Sequence, residues 1–131
     1  MIRSVLAGVA ALALLTACSP AGGREQAADE VAERLYAALG ASDGRAACDL
    51  LAPDTAASVA DDQPCAEAIL DEDLPDQPGR VTRTAVYGQQ AQVKLAGDTV
   101  FLAAFPGGWR VVAAGCTARG GGRPYDCELE G

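Results

Sequence analysis

The hydrophobic period changes once along this chain, at the punctuation supplied by Pro75, Pro78 and Gly79. Before it, apolar residues recur at helical spacing; after it, they alternate. Helices first and strands second exclude an interleaved parallel sheet and point to α+β, with the helices covering one face of an antiparallel sheet. Residues 25–39 place Ala28, Val31, Leu35, Ala38 and Leu39 on one stripe, with Glu25, Asp29, Glu30 and Glu33 elsewhere and Gly40 at the end. Shorter helices are expected over residues 45–51, 54–60 and 64–70, with Pro64 at a first helical position. Residues 80–87, 91–95, 99–105 and 109–114 read as four strands joined by hairpin-length connectors, a four-stranded antiparallel meander. Val81, Val93, Leu95, Val100, Leu102, Val111 and Ala113 are expected to face the helix. From Cys116 onward the glycine-rich tail reads as a loop clipped back by Cys127. Residues 25–131 thus form one domain.

The N-terminus carries an address. Arg3 precedes an almost uninterrupted apolar run over residues 5–15, followed by Leu15-Thr16-Ala17-Cys18. A membrane span needs about 20 apolar residues, so this run suits an export signal. The segment resembles the signal of a bacterial lipoprotein, whose lipobox precedes a lipidated cysteine. The resemblance implies removal of residues 1–17, a diacylglyceryl thioether on Cys18 and anchoring to the outer face of the cell membrane. Each buried methylene contributes about 0.8 kcal/mol, so two or three acyl chains hold where one does not. Residues 19–24 form a short tether that extends at most about 20 Å.

Cleavage before Cys18 leaves 114 residues and an even set of cysteines, Cys48, Cys65, Cys116 and Cys127. In an exported chain these read as two disulfides. Four cysteines allow three pairings; gaps of 17 and 11 residues favour Cys48–Cys65 and Cys116–Cys127. Neither pair has the short spacer of a structural zinc motif, and no His completes a ligand set. The bridges suit a chain with 28 Ala and only 5% aromatic residues, whose core is small-grained.

Helix, short helices and a meander whose later part reads Gly107-Gly108-Trp109-Arg110-Val111-Val112 resemble the cystatin-like, nuclear-transport-factor-2-like superfamily. The bias to Ala, Gly, Asp and Arg resembles small exported lipoproteins of high-GC Gram-positive bacteria. That fold is shared by transport factors, isomerases, dehydratases and scaffolds, so it names no activity. Its enzymes usually place Asp, His or Tyr in the cone between helix and sheet. Here the inward candidates are apolar, and His and Asn are absent from the chain.

Other chemistry is sparse. Asp98 falls in an expected hairpin turn, where its carboxylate would be solvated and unsuited to base catalysis. Tyr36 and Tyr87 offer hydroxyls at positions expected to pack in the core or at its rim. Asp61-Asp62 and Asp71-Glu72-Asp73 with Asp76 lack the alternating ligands and central Gly of a calcium loop. The Arg119 to Arg123 glycine loop lacks the strand and helix that would aim amides at a phosphate. No cofactor, metal or catalytic residue is expected. A net charge of −8, few aromatics and an export signal disfavour nucleic acid.

Charge is segregated along the chain. Between Asp43 and Asp76 ten acidic residues face one basic, Arg45, whereas between Gln77 and Arg123 six basic residues face one acidic, Asp98. Exposed faces carry charge in any soluble domain. Beyond that, the expectation is a partner surface at Arg80, Arg83 and Arg110 that meets anionic lipid or an acidic envelope protein. The sequence therefore points to a lipid-anchored, extracytoplasmic, non-catalytic domain that binds an envelope protein or a small ligand. The alternative is a small enzyme of the isomerase or dehydratase kind.

Overall fold

A computed structural model describes residues 22–131. The expected signal peptide, the lipidation site Cys18 and the start of the tether lie outside the described residues. Helix α1 (Gly22–Gly40) buries Ala28, Ala32, Leu35 and Tyr36, while Val31, Ala38 and Leu39 flank that face half-buried. The buried stripe therefore runs through Ala32 and Tyr36, rotated from the expected line through Val31, Ala38 and Leu39. The helix also begins three residues early. Its first turn is held from outside, because Arg24 donates to the Gly88 carbonyl at 2.6 Å and its guanidinium lies 5.3 Å from the Trp109 ring centre.

Helix α2 (Gly44–Asp49) is capped by Asp43, whose carboxylate accepts from the Ala46 N–H at 3.0 Å. It is shorter than the expected 45–51. Leu51 leaves the helix to bridge Val111 in parallel, with the Ala52 N–H on the Val111 carbonyl at 2.8 Å and the Val111 N–H on the Leu50 carbonyl at 2.9 Å. Helix α3 (Pro53–Val59) starts on Pro53, and helix α4 (Cys65–Ala68) follows Pro64 as its cap and runs into a 3-10 turn at Ile69–Asp71. The Cys48–Cys65 disulfide joins α2 to α4.

The sheet is one antiparallel meander of five strands in sequence order: β1 (Val81–Tyr87), β2 (Gln90–Leu95), β3 (Asp98–Phe105), β4 (Gly108–Thr117) and β5 (Asp126–Glu130). The four-strand expectation missed β5. Strand β4 continues past Ala114 to Thr117, and Cys116 and Cys127 stand directly opposite in register, joined by the second disulfide. Leu129, 1% exposed, packs into the core.

Leu35, Leu51, Ile69, Val93, Val100, Leu102, Val111 and Leu129 are fully buried in one cluster between helices and sheet. Of the expected inward set, Val93, Leu95, Val100, Leu102 and Val111 are buried there, and Val81 is half-buried at its edge. Ala113 faces the other way. A bulge makes Phe101 pair with Ala113 while Leu102 pairs with Val111, so Val112 is the extra residue and the alternation flips. The Val112 carbonyl accepts from Thr55 Oγ1 at 3.1 Å, which gives that buried hydroxyl its partner.

Candidate docking surface

Strand register assigns every residue of the sheet to a face. One row on the face away from α1 runs Ala85, Gln92, Phe101, Ala113, Glu130 across all five strands. A second runs Tyr87, Gln90, Ala103, Arg110, and a third Arg83, Lys94, Thr99. Tyr125, in the loop before β5, folds over the first row, its ring edge-on to Phe101 at 5.0 Å and its hydroxyl accepting from Gln92 Nε2 at 3.1 Å. Gln92 in turn accepts from the Tyr87 hydroxyl at 3.3 Å. Tyr87 is 58% exposed. Four of the six aromatic rings among the described residues, Tyr87, Phe101, Phe105 and Tyr125, lie on the outer sheet face or fold over it; Tyr36 is buried in the core and Trp109 packs against it, and the rest of the core is filled by Leu, Val, Ile and Ala. A shallow, largely apolar cleft of about 390 Å³ lies on that face, lined in part by Tyr87, Phe101, Ala103, Val112 and Ala113.

The three arginines expected to form a partner surface are not gathered. Arg83 is exposed and stands directly opposite Lys94 at one end of the outer face; this like-charged pair makes a local basic spot. Arg80 is exposed just before β1. Arg110 belongs to the far corner, and its guanidinium reaches round the sheet to the carbonyls of Asp49 at 2.8 Å and Leu51 at 3.4 Å. It secures the C-terminal end of α2, where a cation is favoured.

Asp98 departs most from expectation. Its carboxylate is not a solvated turn group: Oδ2 accepts from the Tyr36 hydroxyl and the Gly115 N–H, the latter at 3.0 Å, and Oδ1 accepts from the Cys116 N–H at 3.0 Å. Gly115 has φ +65°, which turns two successive N–H groups the same way into an anion nest, and Asp98 fills it. A Cβ there would meet Leu74 Cδ2 at 2.9 Å and Glu128 Cβ at 3.0 Å. Burial pushes the Tyr36 hydroxyl pKa above its ordinary 10.0; the Asp98 hydrogen bond and charge add to the rise, and the Gly115 N–H offsets part of it. The phenol therefore remains a donor to a carboxylate whose oxygens are already committed. This unit links α1, β3 and β4 and leaves neither group free as acid or base.

Thr84 Oγ1 likewise donates to Asp29, tying β1 to α1. A cleft of about 320 Å³ beside Asp98 is lined by Asp73, Leu74, Gly97, Thr117 and Glu128. Among the described residues no three His, Cys, Asp or Glu side chains converge as metal ligands, and no helix is long and apolar enough to cross a membrane. Reading the sequence alone missed the Asp98 unit, since two of the three groups that donate to it are backbone N–H groups and the third, the Tyr36 hydroxyl, lies on a distant helix; the positional signal was Gly115 at the end of a strand pattern. The aromatic face was open to discovery through the alternation of Phe101, Ala103 and Phe105. Family models, curated proteins and solved structures yield no match to this chain.

Proposed function

We propose that this chain is a lipoprotein held by lipid on Cys18 at the extracytoplasmic face of the cell membrane, and that its domain binds an envelope protein without catalysing a reaction. One observation carries the binding reading: a core packed with aliphatic side chains and an outer sheet face that keeps Tyr87, Phe101 and Tyr125, with the Arg83–Lys94 pair at its margin. Aromatic residues supply contact area at low entropic cost, as docking surfaces require. The order of one helix, short helices and meander supports placing the domain in the cystatin-like, nuclear-transport-factor-2-like superfamily. The export signal and the two disulfides support the compartment. An isomerase or dehydratase using the space between helix and sheet would need a carboxylate or phenol there free to move a proton, and Tyr36 and Asp98 are spent on each other and on Gly115 and Cys116.

A photo-crosslinking amino acid placed at Tyr87 on intact cells tests the surface, with the exposed helix position Ala37 as reference. The expected result is a discrete protein adduct from position 87 that is lost when Arg83→Glu is added, and none from position 37. Identical adducts from both positions, or none, would contradict the reading.

A further inference from the structure

From the geometry at the start of α1 we infer that the domain stands upright on the bilayer, with the β1–β2 and β3–β4 turns against the lipid headgroups. The inference rests on lipidation of Cys18. Only four peptide links separate Cys18 from Gly22, the first residue of α1, and they span at most about 14 Å. The first turn of α1 is held against the sheet, because Arg24 donates to the Gly88 carbonyl and lies over Trp109. Gly88 sits in the β1–β2 turn and Trp109 follows the β3–β4 turn; the Ala104 N–H on the Gln89 carbonyl at 2.8 Å holds the two turns together. Whatever anchors Cys18 therefore lies under this end of the sheet.

Its chemistry suits an anionic lipid surface. Residues 22–24, 87–90 and 104–109 carry Tyr87, Phe105, Pro106 and Trp109 and a single charge, the cation Arg24. Glu25, the next residue, has its Oε2 buried. Amphipathic aromatic rings and cations are the side chains that settle at headgroup depth. The opposite end gathers Asp73, Asp98 and Glu128 around one cleft, with Asp126 beside them on β5. Strand β4 separates the two ends by about 30 Å, several times the Debye length of about 8 Å at physiological salt. The acids that border this end, Glu30 and Asp49, share a cleft beside the β3–β4 turn with Arg34 and Arg110, so a chain with an excess of acid can lie on an anionic membrane with its unmatched acids turned away. In this stance the outer sheet face stands perpendicular to the membrane, open to a neighbour anchored in the same plane.

Trp109 is the chain's only tryptophan and reports the stance directly. The acylated full chain is reconstituted into vesicles of phosphatidylcholine and phosphatidylglycerol, with and without brominated acyl chains, and compared with a Trp109→Phe/Thr117→Trp variant that moves the indole to the exposed far end of β4. Brominated lipid is expected to cut native emission roughly twofold, as for a ring within about 10 Å of the acyl boundary, and to leave the Thr117→Trp indole unchanged. Flotation of the vesicles reads anchoring separately. Protein that floats while both indoles are quenched alike, or neither is, overturns the stance and leaves the anchor standing; acylated protein that fails to float overturns both.

Discussion

At the residue scale, Asp98 on β3 holds groups from α1 and β4, and its removal leaves a phenol and two N–H groups without acceptors. Asp98→Ala should cost about 3 kcal/mol and Tyr36→Phe about 1.5 to 3 kcal/mol, read as urea midpoints at neutral pH. Asp98→Asn keeps one acceptor oxygen and should lose roughly half as much as Asp98→Ala. The raised Tyr36 pKa has a signed consequence. The native state holds this proton more tightly than the unfolded chain, so the contribution is complete below the ordinary value of 10.0 and declines as pH rises above it. Melting temperature should fall through this alkaline range in the native chain and fall less in Tyr36→Phe. These residues show where sequence reading stops. The turn that precedes β3 was legible from Ala96 and Gly97, but Asp98's partners sit 62, 17 and 18 positions away, and nothing local announces them.

At the element scale, period and punctuation made α1 and four strands legible, and boundaries moved by one to three residues wherever a tertiary contact extended or cut an element. Leu51 left its helix for Val111, and the contact with Trp109 and Gly88 kept Gly22 to Arg24 helical. Strand β5 was lost because Asp126, Glu128 and Glu130 have poor strand propensity. Its register comes from Cys127 opposite Cys116 and from the burial of Leu129. Cys116→Ala/Cys127→Ala should therefore cost about 2 to 3 kcal/mol. Hydrogen exchange should show β5 amides losing protection before those of β2 and β3. A different sensitivity belongs to the helical pieces, where α2 rests directly on the backbone of α4. A Cβ at Gly44 would stand 1.8 Å from the Ala66 carbonyl oxygen, a contact that only displacement of a helix relieves. Gly44→Ala should destabilise by about 3 kcal/mol, visible in the thermal midpoint.

At the scale of the whole molecule, the α+β class and both disulfide pairings were legible in the sequence, because a change of hydrophobic period and the cysteine gaps are long-range statements written in one dimension. The outer aromatic face was legible only in part, through the alternation of Phe101, Ala103 and Phe105. It depends on the register of strands and on the bulge at Val112, which decides that Ala113 lies beneath Phe101 and not in the core. The arginines first grouped by their place in the sequence proved to serve different ends, Arg110 holding α2 and Arg83 standing in the open. On the proposed reading the molecule is a tethered one: a small, mainly aliphatic core stapled by two disulfides, with an aromatic sheet face held at the membrane by lipid on Cys18. Separation of membrane and soluble fractions from cells producing the native chain and Cys18→Ala tests that claim most directly. Lipidation of Cys18 predicts native protein in the membrane and Cys18→Ala in the soluble extracytoplasmic fraction; a Cys18→Ala chain that remained fully membrane-bound would contradict it.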